Sequence, residues 1–79
     1  MTIVEQLEKK QGKPLPTEKV LLVKTMEMVQ KNGGISPRTM GLLSKVLEKD
    51  VSPETVNLVI KALGRRDVIR VAAVVRSIQ

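Results

Sequence analysis

Two consecutive stretches of this chain are near copies of each other. Ile35-Ser36-Pro37-Arg38-Thr39-Met40-Gly41-Leu42-Leu43-Ser44-Lys45-Val46-Leu47 matches Val51-Ser52-Pro53-Glu54-Thr55-Val56-Asn57-Leu58-Val59-Ile60-Lys61-Ala62-Leu63. The shared form is apolar-Ser-Pro-x-Thr-apolar-x-Leu-apolar-x-Lys-x-Leu. Each copy opens with the punctuation of a helix start. Serine can accept a hydrogen bond from the first turn, and proline suits the first helical position, where an N–H has no intrahelical partner. Apolar residues then recur at every third or fourth place. Two capped amphipathic helices in succession, a few residues apart, make a helix-turn-helix-like corner. Any two amphipathic helices of like length share such spacing, so duplication of one helical unit and chance are both open as origins of the repeat.

The rest of the chain punctuates in the same way. Thr2 to Gln11 reads as a short helix, with Thr2 able to cap it and Ile3, Val4 and Leu7 forming a narrow apolar stripe. Gly12-Lys13-Pro14-Leu15-Pro16 ends it, because two prolines and a glycine do not continue a helix. Residues 1–16 therefore read as a loosely held arm, and residues 17–79 as a single helical domain. Thr17 begins the next helix, with Glu18 in the first turn where the helix dipole favours an anion. Asn32-Gly33-Gly34 stops it after Lys31. Leu22, Met26 and Val29 share one side of this helix while Leu21 and Met28 face elsewhere. A helix apolar on two sides is either central or at a subunit interface. The third helix is expected over about Pro37 to Lys49 with Met40, Leu43 and Leu47 inward. The fourth is expected over about Pro53 to Arg66 with Val56, Val59, Ile60 and Leu63 inward.

The last segment, Asp67 to Gln79, supports two readings. Its β-branched residues favour a strand, and Ile69, Val71, Ala73 and Val75 alternate cleanly. Val68, Val71, Ala72, Val75 and Ile78 equally make a helical stripe. The repeat favours the helix. Val71 to Ile78 aligns with Val56 to Leu63, and Asp67 stands near the place where Ser52 caps. No Gly, Pro or Asn follows Gly64, so a β-hairpin has no turn residue to fold on. The expected fold class is all-α, with four to five short helices.

Composition narrows the chemistry. The 79 residues include no Cys, His, Phe, Tyr or Trp. Disulfides and thiolate or imidazole metal sites are excluded, together with the commonest general base. The core has to be aliphatic, which limits the area it buries, and self-association would relieve that shortage. Recognition of single strands by base stacking is excluded too. No apolar run approaches the roughly 18 residues that span a bilayer, and no secretory signal is visible. The expectation is a cytoplasmic protein with no membrane role.

Catalysis is not expected. Glu5 with Glu8, and Asp50 with Glu54, are carboxylate pairs at helical spacing, but each has basic neighbours and belongs on a solvated face. Gly33-Gly34 is a helix stop, not a phosphate loop, since no Gly-x-x-x-x-Gly-Lys-Ser/Thr pattern surrounds it. No cofactor, metal or small-molecule substrate is implied. The charge is uneven. Of the net +6, from 14 basic and 8 acidic residues, most lies after Val56, where Lys61, Arg65, Arg66, Arg70 and Arg76 face Asp67 alone. A polyanionic partner is the natural complement.

The span from Ser36 to Val71 resembles the helix-turn-helix of small winged-helix regulators. It has a first helix ending Leu43-Ser44-Lys45-Val46-Leu47, a turn, a Ser52-Pro53-Glu54-Thr55-Val56 recognition-helix start, a basic stretch Gly64-Arg65-Arg66, and an exit Val68-Ile69-Arg70. It departs from them in a longer turn, Glu48-Lys49-Asp50, and in having no turn residues for a wing. The resemblance implies double-stranded DNA as partner. It would set Ser52, Glu54, Thr55, Asn57 and Lys61 towards the major groove and Arg65, Arg66 and Arg70 on phosphates. It also keeps open a winged helix with a C-terminal strand. Helix geometry agrees in part, because Glu54, Asn57, Lys61 and Arg65 lie opposite the Val56, Ile60 and Leu63 stripe, with Leu58 among them. Two functions follow. One is a small basic DNA-binding regulator of transcription, a homodimer, that uses residues 52–66 for recognition. The other is a helical protein-interaction module with no nucleic-acid role, docking a partner through Leu42, Leu58 and Met28.

Overall fold

The computed structural model describes residues 3–78, with side chains from Val4 onward. Among them are five helices: α1 Ile3–Gln11, α2 Thr17–Lys31, α3 Pro37–Glu48, α4 Pro53–Gly64 and α5 Val68–Ile78. No strand occurs among the described residues, so the all-α expectation holds, and Val68–Ile78 is helical. The expected cap at Thr2 lies outside the described residues.

The sequence repeat is a structural repeat of the cap. Ser36 and Ser52 have backbone angles of φ −63°, ψ 151° and φ −62°, ψ 150°. Each hydroxyl accepts from the amide of the threonine three residues on, at 3.2 Å from Thr39 and 3.3 Å from Thr55. Each also pairs with that threonine's hydroxyl at 2.9 Å. The threonine stands at the position that Glu or Gln holds in a capping box, with its hydroxyl on that of the serine. Asp67 starts α5 in a similar way, its carboxylate accepting from the Arg70 amide at 3.1 Å.

Close packing runs from α2 to α4, from α4 to α5 and from α5 to α3, with α1 lying more lightly on α2. The consecutive pair α3 and α4 is not among these close packings. Leu22, Val23 and Met26 of α2, Leu43, Val46 and Leu47 of α3, and Val56, Val59, Ala62 and Leu63 of α4 meet Val71 and Val75 of α5 in one aliphatic core. Burying each Leu or Val contributes roughly 1.5–3 kcal/mol. Leu22, Leu43, Val46, Val56 and Val59 have no exposure at all.

The arm is docked rather than loose. Leu15, between the two prolines, is buried, and its amide donates to Glu8 Oε2 at 2.9 Å. Gln11 donates to the Leu47 carbonyl at 3.3 Å. The radius of gyration, 11.7 Å, is what a chain of this length has when fully folded, roughly 12 Å.

Two helix ends are closed by cations from other parts of the chain, that of α3 by Lys19 and that of α2 by Arg66. Lys19, buried in α2, donates from Nζ to the carbonyls of Leu47 and Lys49 at 3.1 and 2.7 Å. These carbonyls lie at the C-terminal end of α3, where the dipole favours a positive charge. At the end of α4, Arg66 N donates to Leu63 O at 3.0 Å and Asp67 N to Ala62 O at 2.9 Å. That is a Schellman turn with Arg66 in the left-handed position, φ 58°. It stops α4 at Gly64, two residues before the expected end at Arg66. α3 likewise ends at Glu48, with Lys49 as an extended C-cap.

Candidate functional site

Along α4 and at its C-cap, Arg65, the exposed side chains include Glu54, Asn57, Leu58, Lys61 and Arg65. Asn57, Lys61 and Arg65 follow one another at four-residue steps and share a line along the helix. Glu54 sits in the first turn. Between Glu54 and Arg65 the chain rises about 16 Å, so these two expected site residues stand at opposite ends of α4.

The Schellman turn sets the start of α5 beside the end of α4. Leu58, Lys61, Ala62 and Arg65 of this end then line a shallow hollow of about 220 Å³ with Asp67 and Arg70. Three of the expected site residues, Lys61, Arg65 and Arg70, are therefore brought together. Asp67 is the one carboxylate in the lining. It is already engaged, accepting from the Arg70 amide and lying 3.9 Å from Arg70 Nε. Three cations around one committed carboxylate make this corner locally basic. Leu58, 48% exposed, adds an apolar edge.

The other expected site residues are placed differently. Ser52 and Thr55 share their hydroxyls within the α4 cap, and Thr55 is half-buried. Arg66 turns away from the hollow, and its Nη2 donates to the Asn32 carbonyl at the end of α2 at 2.5 Å. Its guanidinium crosses Gly33 so closely that a Cβ there would stand 2.8 Å from Nη1. Gly33 also has φ 148°, so the Gly33-Gly34 stop serves both the backbone and the arginine that closes it.

Of the apolar residues expected to dock a partner, Met28 is 63% exposed and Leu58 48%, whereas Leu42 is half-buried against the core. Two features escaped sequence reasoning. Lys19 sits at the third position of an otherwise legible amphipathic helix, and nothing local shows that its ammonium meets α3. Arg38 and Arg76 share a groove between α3 and α5. The spacing of Arg76 seven residues after Ile69 is a signal for one face, readable once the tail is taken as a helix. No helix is long and apolar enough to cross a membrane, among the described residues.

Comparison with protein-family models, with curated proteins and with solved structures finds no match.

Proposed function

We propose that this chain is a small DNA-binding protein, a regulator of transcription acting in the cytoplasm as a homodimer. Its contact with the duplex is the α4–α5 corner. The observation that carries this reading is the convergence of Lys61, Arg65 and Arg70 on one hollow whose single carboxylate is already paired. Phosphates are the complement of such a cluster, and arginine and lysine donors without acceptors suit them. Asn57, exposed on the same line of α4 as Lys61, is the residue suited to base edges, its amide to adenine. Glu54 either accepts from cytosine or acts only on the helix dipole. Ser52 and Thr55 act through the cap, by holding the helix start. Arg66 supports the turn that positions Arg65 and contributes less to phosphate binding.

The experiment is a gel shift on duplex DNA across a range of salt. Log affinity should fall linearly with log salt, by about 0.9 for each phosphate neutralised. Arg65→Gln and Lys61→Gln should each flatten that slope by about one, while Arg66→Gln should change it less. Asn57→Ala should reduce discrimination between sequences by roughly 1–3 kcal/mol and leave non-specific binding intact. Absence of duplex binding by the wild-type protein at low salt would reject the reading.

A second reading has its own observation. Leu58 lines the same hollow and is half-exposed, an arrangement that serves a protein partner with an acidic surface. In that case Leu58→Lys abolishes capture of the partner, and affinity falls with salt less steeply than contact with several phosphates requires.

A further inference from the structure

We propose that the groove between α3 and α5 docks an acidic amphipathic helix, at a site separate from the α4–α5 corner. The starting point is Ile69, 85% exposed on α5 next to Val68 at 52%. The fold does not require an isoleucine there. β-Branched residues gain nothing in helix propensity, and α5 is held by Val71 and Val75, which are buried.

Ile69, Ala72, Ala73 and Arg76 recur at the spacing of one helix face. Together with Arg38 and Leu42 of α3 they line a groove of about 340 Å³. Its floor is apolar, and arginine is contributed by both helices. No carboxylate lines it among the described residues, and neither arginine is in an ion pair among them.

From Ile69 to Arg76 the groove face runs about 10 Å, two helical turns. Ala72 and Ala73 have no long side chain, so a partner backbone can approach to the 8–10 Å typical of packed helices. Apolar residues at i, i+3, i+4 and i+7 of that partner would bury Ile69, and Asp or Glu on its flanks would meet Arg38 and Arg76. A second copy of this chain fits poorly, because a two-fold contact would set the Arg38 and Arg76 of each copy against the same residues of the other. Nucleic acid leaves Ile69 and Val68 without a complement, since phosphates offer no apolar surface.

The test uses the full chain and a labelled synthetic peptide of about four turns. The peptide carries Leu at i, i+3, i+4 and i+7 with Glu on both flanks, and a composition-matched scramble is its control. Fluorescence anisotropy should show saturable binding of the patterned peptide alone. Amide shifts in a ¹⁵N-labelled sample should map to Arg38, Leu42, Val68, Ile69 and Ala73. Ile69→Ala, which removes no core contact, should weaken binding about tenfold with unchanged helicity and thermal midpoint. Arg38→Gln with Arg76→Gln should weaken it at low salt and much less at high salt. Lys61→Gln with Arg65→Gln should bind the peptide as wild type does. The proposal is overturned by equal binding of the scramble, by shifts confined to α2 or α4, or by an Ile69→Ala variant that binds normally. It is also overturned if the peptide fails to bind while Ile69 governs self-association or cosedimentation with phosphatidylserine vesicles.

Discussion

Arg66, in the left-handed backbone that ends α4, donates to the carbonyl of Asn32, the residue that ends α2. Two helix C-termini distant in sequence are joined by one guanidinium. The position itself favours glycine, because a side chain in this conformation costs roughly 1–2 kcal/mol. Arginine stands there although glycine would fit the backbone better, and the contact to Asn32 offsets the strain.

This makes the two simplest substitutions unequal. Arg66→Ala retains the strained backbone and loses the hydrogen bond, whereas Arg66→Gly loses the hydrogen bond and relieves the strain. Urea denaturation should find Arg66→Gly more stable than Arg66→Ala by about 1 kcal/mol. The opposite order would show that the left-handed position carries no backbone penalty for a side chain.

Lys19 is the second such strut. Replacing it by methionine keeps the buried stem and removes both donors to the end of α3. The carbonyl of Leu47 keeps Gln11, but that of Lys49 loses its Nζ partner. Lys19→Met should lower stability by about 1–3 kcal/mol, read as a lower urea midpoint with an unchanged m-value. A midpoint equal to wild type would mean that water replaces the ammonium at no loss.

The two serine caps are alike in geometry and unlike in surroundings. Thr39, the partner of Ser36, is buried, while Thr55, the partner of Ser52, is half-buried. Ser52→Ala should cost about 0.5–2 kcal/mol. Ser36→Ala should cost more, because it leaves a buried hydroxyl short of a partner. Thermal midpoints of the two variants provide the comparison, and equal losses would make burial of the threonine irrelevant.

Homodimer formation is expected through α2, where Leu21 is 48% and Met28 63% exposed. They lie seven residues apart on one face, a spacing suited to pairing with a second helix. Sedimentation at tens of micromolar should give a dimer mass, and Leu21→Glu with Met28→Glu should return the monomer without unfolding it. A concentration-independent monomer mass for the wild type would reject this interface.

The starts of α3, α4 and α5 and the stop of α2 are legible in the residues because each is decided within a turn of chain. Ser36, Ser52 and Asp67 accept from amides three residues away, and Asn32-Gly33-Gly34 breaks α2 through backbone freedom. The helical choice for Asp67 to Gln79 also followed locally. Val71 and Val75 lie one turn apart and are buried, whereas the alternating pattern of a strand would have put Ile69, the most exposed of the large apolar residues, on the core face.

The end of α4 falls two residues before the expected Arg66 because the left-handed turn is placed on an arginine, a residue that carries no local stop signal. The roles of Lys19 and Arg66 were not legible at all. Their acceptors lie 28 to 34 residues away and become neighbours only when α2 packs on α4 and α3 on α5. For the candidate site, the sequence by itself determined that Asn57, Lys61 and Arg65 share one line of a helix, since 3.6 residues per turn requires it. Only the tertiary structure decided that Arg70 joins them while Arg66 turns to Asn32. That choice rests on the direction in which the α4–α5 turn sends the chain, which is set by how the aliphatic faces of separate helices bury one another.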